Sequence, residues 1–325
     1  MSNRFFVLKT LGAAAVVVLL LPPTAAADQT SQAPEPPNSC ASNDPALFWR
    51  CAQEKAKTFN PPRTADGKPD FSGYWRNRTS GSPSLEGTTR TIPPEAEEAF
   101  GAGSTPGGGE GGKSVVVDPP DGKVPYQPWA AAQIKENAAK YIDQNVHCFL
   151  SGVIRHMYVA PAYQIIQTPA YIAIPSEEAH ATRLITMGNR PHLGKNILLW
   201  QGDARGRWDG NTLVVESTNH NGRVFLDRRG TFYTDAAIIT ERFMMLDQNT
   251  IAYGATLDDP LVYTRPFTIA LMLTRHTTNG FEIWEESCFE GESTAKRLYD
   301  MGFRMYPGIT SKDVPAIKAR TSGSR

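Results

Sequence analysis

WQGDARGRWDGNTLVVE runs from Trp200 to Glu216 and reads as a strand, a polar turn and a strand. Asp209-Gly210 closes the pair, because the tight turn of a hairpin needs positive φ at both central positions. The same pattern extends in both directions. From His156 to Glu290, apolar runs of period two alternate with short turns: 163–167, 170–174, 183–187, 197–200, 212–217, 238–246, 251–257, 267–275 and 281–288. Asn279-Gly280 is a second strong hairpin signal, and Asp247–Asn249 and Asn219–Gly222 are weaker ones. No helical pattern separates these runs. Successive hairpins predict a mainly β fold, an antiparallel meander of about nine strands closing into a lipocalin-like β-barrel. Helices are expected in the N-terminal third, with a short one near the C-terminus.

The first 27 residues have another character. Arg4 and Lys9 precede an apolar core, Leu11–Leu21, which Pro22-Pro23 and then Ala25-Ala26-Ala27 bring to an end. This is the three-part pattern of a secretory signal peptide, and the core is shorter than the ~20 residues that span a bilayer. The expected mature protein is exported, periplasmic or extracellular, without a membrane span. Residues 28–62 read as a polar leader and a helix from Pro45 to Phe59. Residues 63–310 read as a single barrel domain, with a Gly-rich insert at 101–114 and a helix at 129–146, followed by a flexible tail at 311–325. The second helix carries Ile134, Ala138, Tyr141 and Ile142 on one stripe.

The chain has 33 basic and 33 acidic residues, which argues against a nucleic-acid partner. Loss of the signal removes Arg4 and Lys9, leaving 31 basic residues against 33 acidic and a charge of −2. Four cysteines in an exported chain point to disulfides. Cys40 with Cys51 and Cys148 with Cys288 is the expected pairing among the three possible connectivities.

Several motifs resemble a large family of exported, mostly uncharacterised bacterial proteins. They are Arg63–Trp75, Arg190-Pro-His192, Trp200–Glu216, Glu241-Arg-Phe243, Asp259-Pro260 and Glu286–Glu290. The resemblance covers about residues 60–295 and implies export and a shared fold, with no established chemistry. Where that family often has Cys-His-Glu, this chain has Cys288-Phe289-Glu290. Gly73-Tyr-Trp75 is also similar to the Gly-x-Trp of lipocalins.

Gly107–Ser114 fits the phosphate-loop spacing, but no strand precedes it and Val115–Pro120 cannot open a helix, so it reads as a loop. Glu177, His180 and His192 form the closest metal-like cluster. Their spacing matches no metal motif, and neither a metal nor an organic cofactor is assigned. In Ile239-x-Glu241-x-Phe243-x-Met245, a carboxylate shares a face with apolar side chains, and Phe281-x-Ile283-x-Glu285-x-Ser287 repeats the arrangement. If these faces point inward, Glu241 and Glu285 need partners such as Arg155, Arg183, Arg190, Arg205 or Arg242. Paired with Arg, a buried Glu is a structural or binding anchor. Unpaired, its pKa rises and acid–base work becomes possible.

Two readings follow. In the first, the protein is a cofactor-independent lyase, isomerase or hydrolase acting on a small hydrophobic or aromatic molecule in the barrel. Its acid–base residues would be His192, Asp203, Glu241 and Glu285, and its substrate contacts Arg190, Arg205, Arg242, Trp208 and Tyr263. In the second, it is a non-catalytic lipocalin-like carrier of a small hydrophobic ligand in the cell envelope.

Overall fold

The computed structural model describes residues 40, 44–77, 84–87, 113–159, 162–284 and 293–322. All lie within one compact unit, Pro36–Arg325. The signal-like segment, the leader to residue 39, the Gly-rich insert to residue 112, Glu285 and Cys288 lie outside the described residues.

Strands are numbered along the chain: β1 Gly73–Asn77, β2 Val116–Asp118, β3 Tyr141–Ile142, β4 Tyr163–Gln167, β5 Tyr171–Pro175, β6 Thr182–Met187, β7 Asp203–Asp209, β8 Thr212–Thr218, β9 Ile238–Asp247, β10 Thr250–Asp258, β11 Phe267–Arg275 and β12 Arg304–Met305. Nine of them close a barrel in the order β1-β4-β5-β6-β7-β8-β9-β10-β11 and back to β1, and β2 adds to β11. The hairpins at Asp209-Gly210 and Asp247–Asn249 form as the sequence predicts, with Gly210 at φ 58°.

Two features differ from a simple meander. The run 197–200 forms no strand; Leu199 makes only an isolated bridge to His220. The chain therefore takes a long excursion between β6 and β7, and these two pair in parallel, Ile185 opposite Ala204. The barrel is thus mixed. The closing strand is β1, with Trp75 opposite both Tyr163 and Arg275, and Phe281–Trp284 forms no strand.

Side-chain alternation fills the interior. Trp75, Tyr163, Phe243, Tyr253 and Phe267 are under 2% exposed. On β9 the predicted face holds, since Ile239, Glu241, Phe243 and Met245 are all buried while Arg242 is exposed. Met244 and Leu246 are also buried because helix α1, Pro45–Thr58, covers the outer wall of β9–β11. Asp44 caps α1, its carboxylate accepting from the Ala46 and Leu47 amides at 3.0 and 3.1 Å. Trp49 lies over Gly254, where a Cβ would stand 2.2 Å from the indole.

Cys40 and Cys51 form a disulfide, Cα atoms 5.5 Å apart, that ties the chain before α1 to the helix. Cys148 is disulfide-bonded as well, and its expected partner Cys288 lies outside the described residues. The Cys40–Cys51 link closes a separation of 11 residues, so Cys40→Ser/Cys51→Ser should cost about 2–3 kcal/mol by loop-closure entropy. Urea unfolding of the double variant checks this, and an unchanged midpoint contradicts it.

Helix α2 spans Pro128–Lys140, shorter than the predicted 129–146. It stops because Tyr141–Ile142 turns extended to pair in parallel with Arg304–Met305. Helix α3, Val153–Val159, is buried on nearly every side and joins the barrel core. Helix α4 covers Ser293–Asp300. Helix α5, Val314–Ser322, forms where a tail is expected and docks on α2, Arg320 donating to Gln133 and Glu136 at 2.9 and 2.7 Å.

Candidate functional site

Inside the barrel, Arg183 on β6 reaches across to Glu241 on β9 in a two-pronged ion pair. One prong, Nη1 to Oε1, measures 2.6 Å, and Nη2 bonds Oε2. Arg183 Nη2 also donates to Ser217 Oγ at 3.2 Å, and Tyr253 Oη donates to Glu241 Oε1 at 2.9 Å. Both ions are almost wholly buried, 1% and 0% exposed. Burial opposes the Arg183 charge, but the Glu241 carboxylate outweighs it and the guanidinium pKa lies above its ordinary value. Glu241 is therefore neutralised and multiply bonded, the arrangement of a structural anchor.

Two buried histidines stand near this pair. Burial, reinforced by Arg183, lowers His156 to about 3 and His220 to about 4. His220 Nε2 donates to the Ser217 carbonyl at 3.1 Å, so the neutral tautomer leaves Nδ1 as a bare acceptor.

The predicted His192–Asp203 pair forms on the opposite side of the wall. On β7, Ala204 joins the barrel core, so Asp203 and Arg205 face outward. His192 Nδ1 lies 2.8 Å from Asp203 Oδ2, and Nε2 lies 3.3 Å from Glu216 Oε1. Arg205 pairs with Asp203 at 2.8 Å, and its Nε donates to the Pro191 carbonyl at 3.1 Å. The Leu193 amide donates to Asp203 at 3.0 Å. Arg190 stands apart and donates to Tyr171 Oη at 3.4 Å.

The remaining predicted contacts are scattered. Arg242 is exposed and 3.7 Å from Asp209. Trp208 stacks on Phe71 with ring centres 5.7 Å apart. Tyr263 is buried and donates to the Phe232 carbonyl at 2.6 Å. Glu177 accepts from the Trp284 amide at 3.1 Å, and the side chain of His180, the third member of the metal-like cluster, lies outside the described residues. Among the described residues no group of three potential ligands could hold a metal ion.

A cleft of about 480 Å³ opens elsewhere, between α2, the β8–β9 connection and α4. No strand of the barrel wall contributes to its lining. Its apolar surface comes from Tyr126, Ile134, Ala138, Phe225, Leu298 and Phe303. Lys135, Asp143, Asp227 and Arg229 supply polar groups. Asp143 is paired with buried Arg155 at 2.5 Å. Asp227 accepts from the Arg229 and Thr231 amides at 3.0 and 3.1 Å, and burial pushes its carboxyl above the usual range. Sequence reading missed most of this site. Its one signal in the sequence is the stripe Ile134, Ala138, Tyr141, Ile142, which lines the cleft. The most deeply buried face of α2 carries Trp129, Ala130, Gln133 and Asn137, with Asn137 donating to the Gly230 carbonyl at 3.0 Å, and Ile134 packs at its margin.

No protein-family model, curated protein or solved structure matches the chain.

Proposed function

We propose that the protein is an exported binding protein for a small, largely apolar or aromatic molecule held in the cleft beside α2. The observation that carries this reading is the apolar lining of the cleft, where Ile134 and Ala138 of α2 join Tyr141 and Ile142 of β3 while polar Gln133 and Asn137 of α2 are buried. Apolar side chains lining a concavity with a few polar groups at its edge are the usual make-up of a small-molecule site. The volume, about 480 Å³, falls in the usual range for small-molecule sites, roughly 300–1,000 Å³. The signal-like N-terminus and the Cys40–Cys51 disulfide support export, and on its motifs we place the chain in the exported bacterial family it resembles.

The acid–base reading keeps one observation, the 2.8 Å His192–Asp203 pair. That pair sits on the outer wall, and neither residue lines the cleft.

Fluorescence titration with anilinonaphthalene sulfonate tests the proposal. Ala138 is exposed on α2 and lines the cleft, so Ala138→Trp should fill it without disturbing the core. Kd should rise about tenfold or more, and His192→Ala should leave it unchanged. Equal binding by wild type and Ala138→Trp would sink the reading.

A further inference from the structure

The excursion between β6 and β7 presents an unusual surface. Leu193, Ile197, Leu198 and Leu199 are 39%, 49%, 41% and 38% exposed. Such a cluster would ordinarily fold inward, and its backbone prevents that. The Asn219 amide donates to the carbonyls of Leu193, Gly194 and Ile197 at 3.3, 3.0 and 3.0 Å. Leu199 exchanges backbone bonds with Asn219 and Asn221 at 2.8 and 3.0 Å. Asn219 itself adopts φ 61°, a left-handed conformation that Asn tolerates. Asp203, held by His192 and Arg205, fixes the Leu193 amide. The outer-wall constellation thus positions an apolar loop.

Within the loop itself the charges have one sign, and exposed Glu216 beside it is bonded to His192 at 3.3 Å. Residues 188–202 contain Arg190 and Lys195 and no Asp or Glu. Arg190 is exposed and donates to the Tyr171 hydroxyl rather than to a carboxylate. At the base of the loop, Trp200 stacks on Phe149 with ring centres 5.1 Å apart. Exposed aliphatic side chains beside Arg190 and Lys195, with an aromatic pair at the base, match the interfacial region of a lipid bilayer. No helix among the described residues is long and apolar enough to cross a membrane, so attachment would be to one surface.

We propose that loop 188–202 is a membrane-surface anchor. Leu193, Ile197, Leu198 and Leu199 enter the acyl boundary, and Arg190 and Lys195 meet anionic headgroups.

Co-sedimentation of the mature, disulfide-intact protein with vesicles tests this, using phosphatidylethanolamine with about one-third phosphatidylglycerol against pure phosphatidylcholine. Wild type should bind the anionic vesicles better, and less so in high salt. Ile197→Asp/Leu198→Asp, both at exposed positions, should lower partitioning on the order of tenfold or more. Lys195→Ala should lower it about fivefold on anionic vesicles and little on phosphatidylcholine. Failure of wild type to sediment with either vesicle overturns the proposal, as does equal sedimentation of the double variant. A wild-type dimer that the double variant dissociates, without vesicle binding, assigns the loop to a second copy and overturns it too.

Discussion

Glu241→Ala should lower the unfolding free energy by about 3–5 kcal/mol, among the largest effects of any single substitution in the chain. The carboxylate is fully buried and answers both prongs of the Arg183 guanidinium, with Tyr253 as a third donor. Its removal leaves a positive charge inside the barrel with only Ser217 as hydrogen-bond partner and strands the Tyr253 hydroxyl. The pair is not stabilising in proportion, because desolvation of two ions offsets most of their attraction. Arg183→Met/Glu241→Leu, which removes both charges and keeps volume, should therefore be far milder than either single change. Denaturant unfolding of the four proteins in the cycle checks this. If the double variant loses the sum of what the two singles lose, the charges are not coupled as the geometry requires.

The second large effect concerns acid. His156 and His220 are held neutral in the fold, with pKa values of about 3 and about 4 against an ordinary 6.5. Above pH 6.5 neither state binds the proton and the two groups contribute nothing to pH dependence. Below it the unfolded chain takes up protons that the fold refuses. Stability should then fall by about 1.4 kcal/mol per pH unit for each histidine, or some 2 kcal/mol each at pH 5. The loss continues down to the folded values. Asp227 and Asp259 act oppositely, since burial raises both carboxyls and the fold binds their protons more readily as pH falls. Unfolding measured from pH 7 to pH 5 should show the decline, and His220→Gln should make it shallower. A flat profile would contradict the burial of the two rings.

Much of the barrel was legible in the chain because period-two alternation and Asp-Gly turns are local signals. Glu241 was placed on the inner face from Ile239, Phe243 and Met245 alone. Its partner was one of five arginines, and only closure of the sheet brings β6 across from β9. The excursion 188–202 misled because Ile197–Trp200 is apolar enough for a strand. The backbone bonds of Leu199 go instead to Asn219 and Asn221, 20 and 22 residues ahead. That non-local anchoring also turned β6 and β7 parallel. The His192–Asp203 pair was readable as a pair. Its outward aspect depends on the register of β7, where Ala204 takes the inner position. The cleft was least legible. Its walls come from α2, the β8–β9 connection and α4, and an apolar helical stripe looks the same whether it faces a core or a ligand.

Crystallography of the mature, disulfide-intact protein soaked with anilinonaphthalene sulfonate addresses the proposed function most directly. The expected result is the aromatic rings lying between Ile134 and Phe225, with Ala138 in contact. Rings bound only on the outer wall, or a cleft closed by the protein's own side chains, would contradict it.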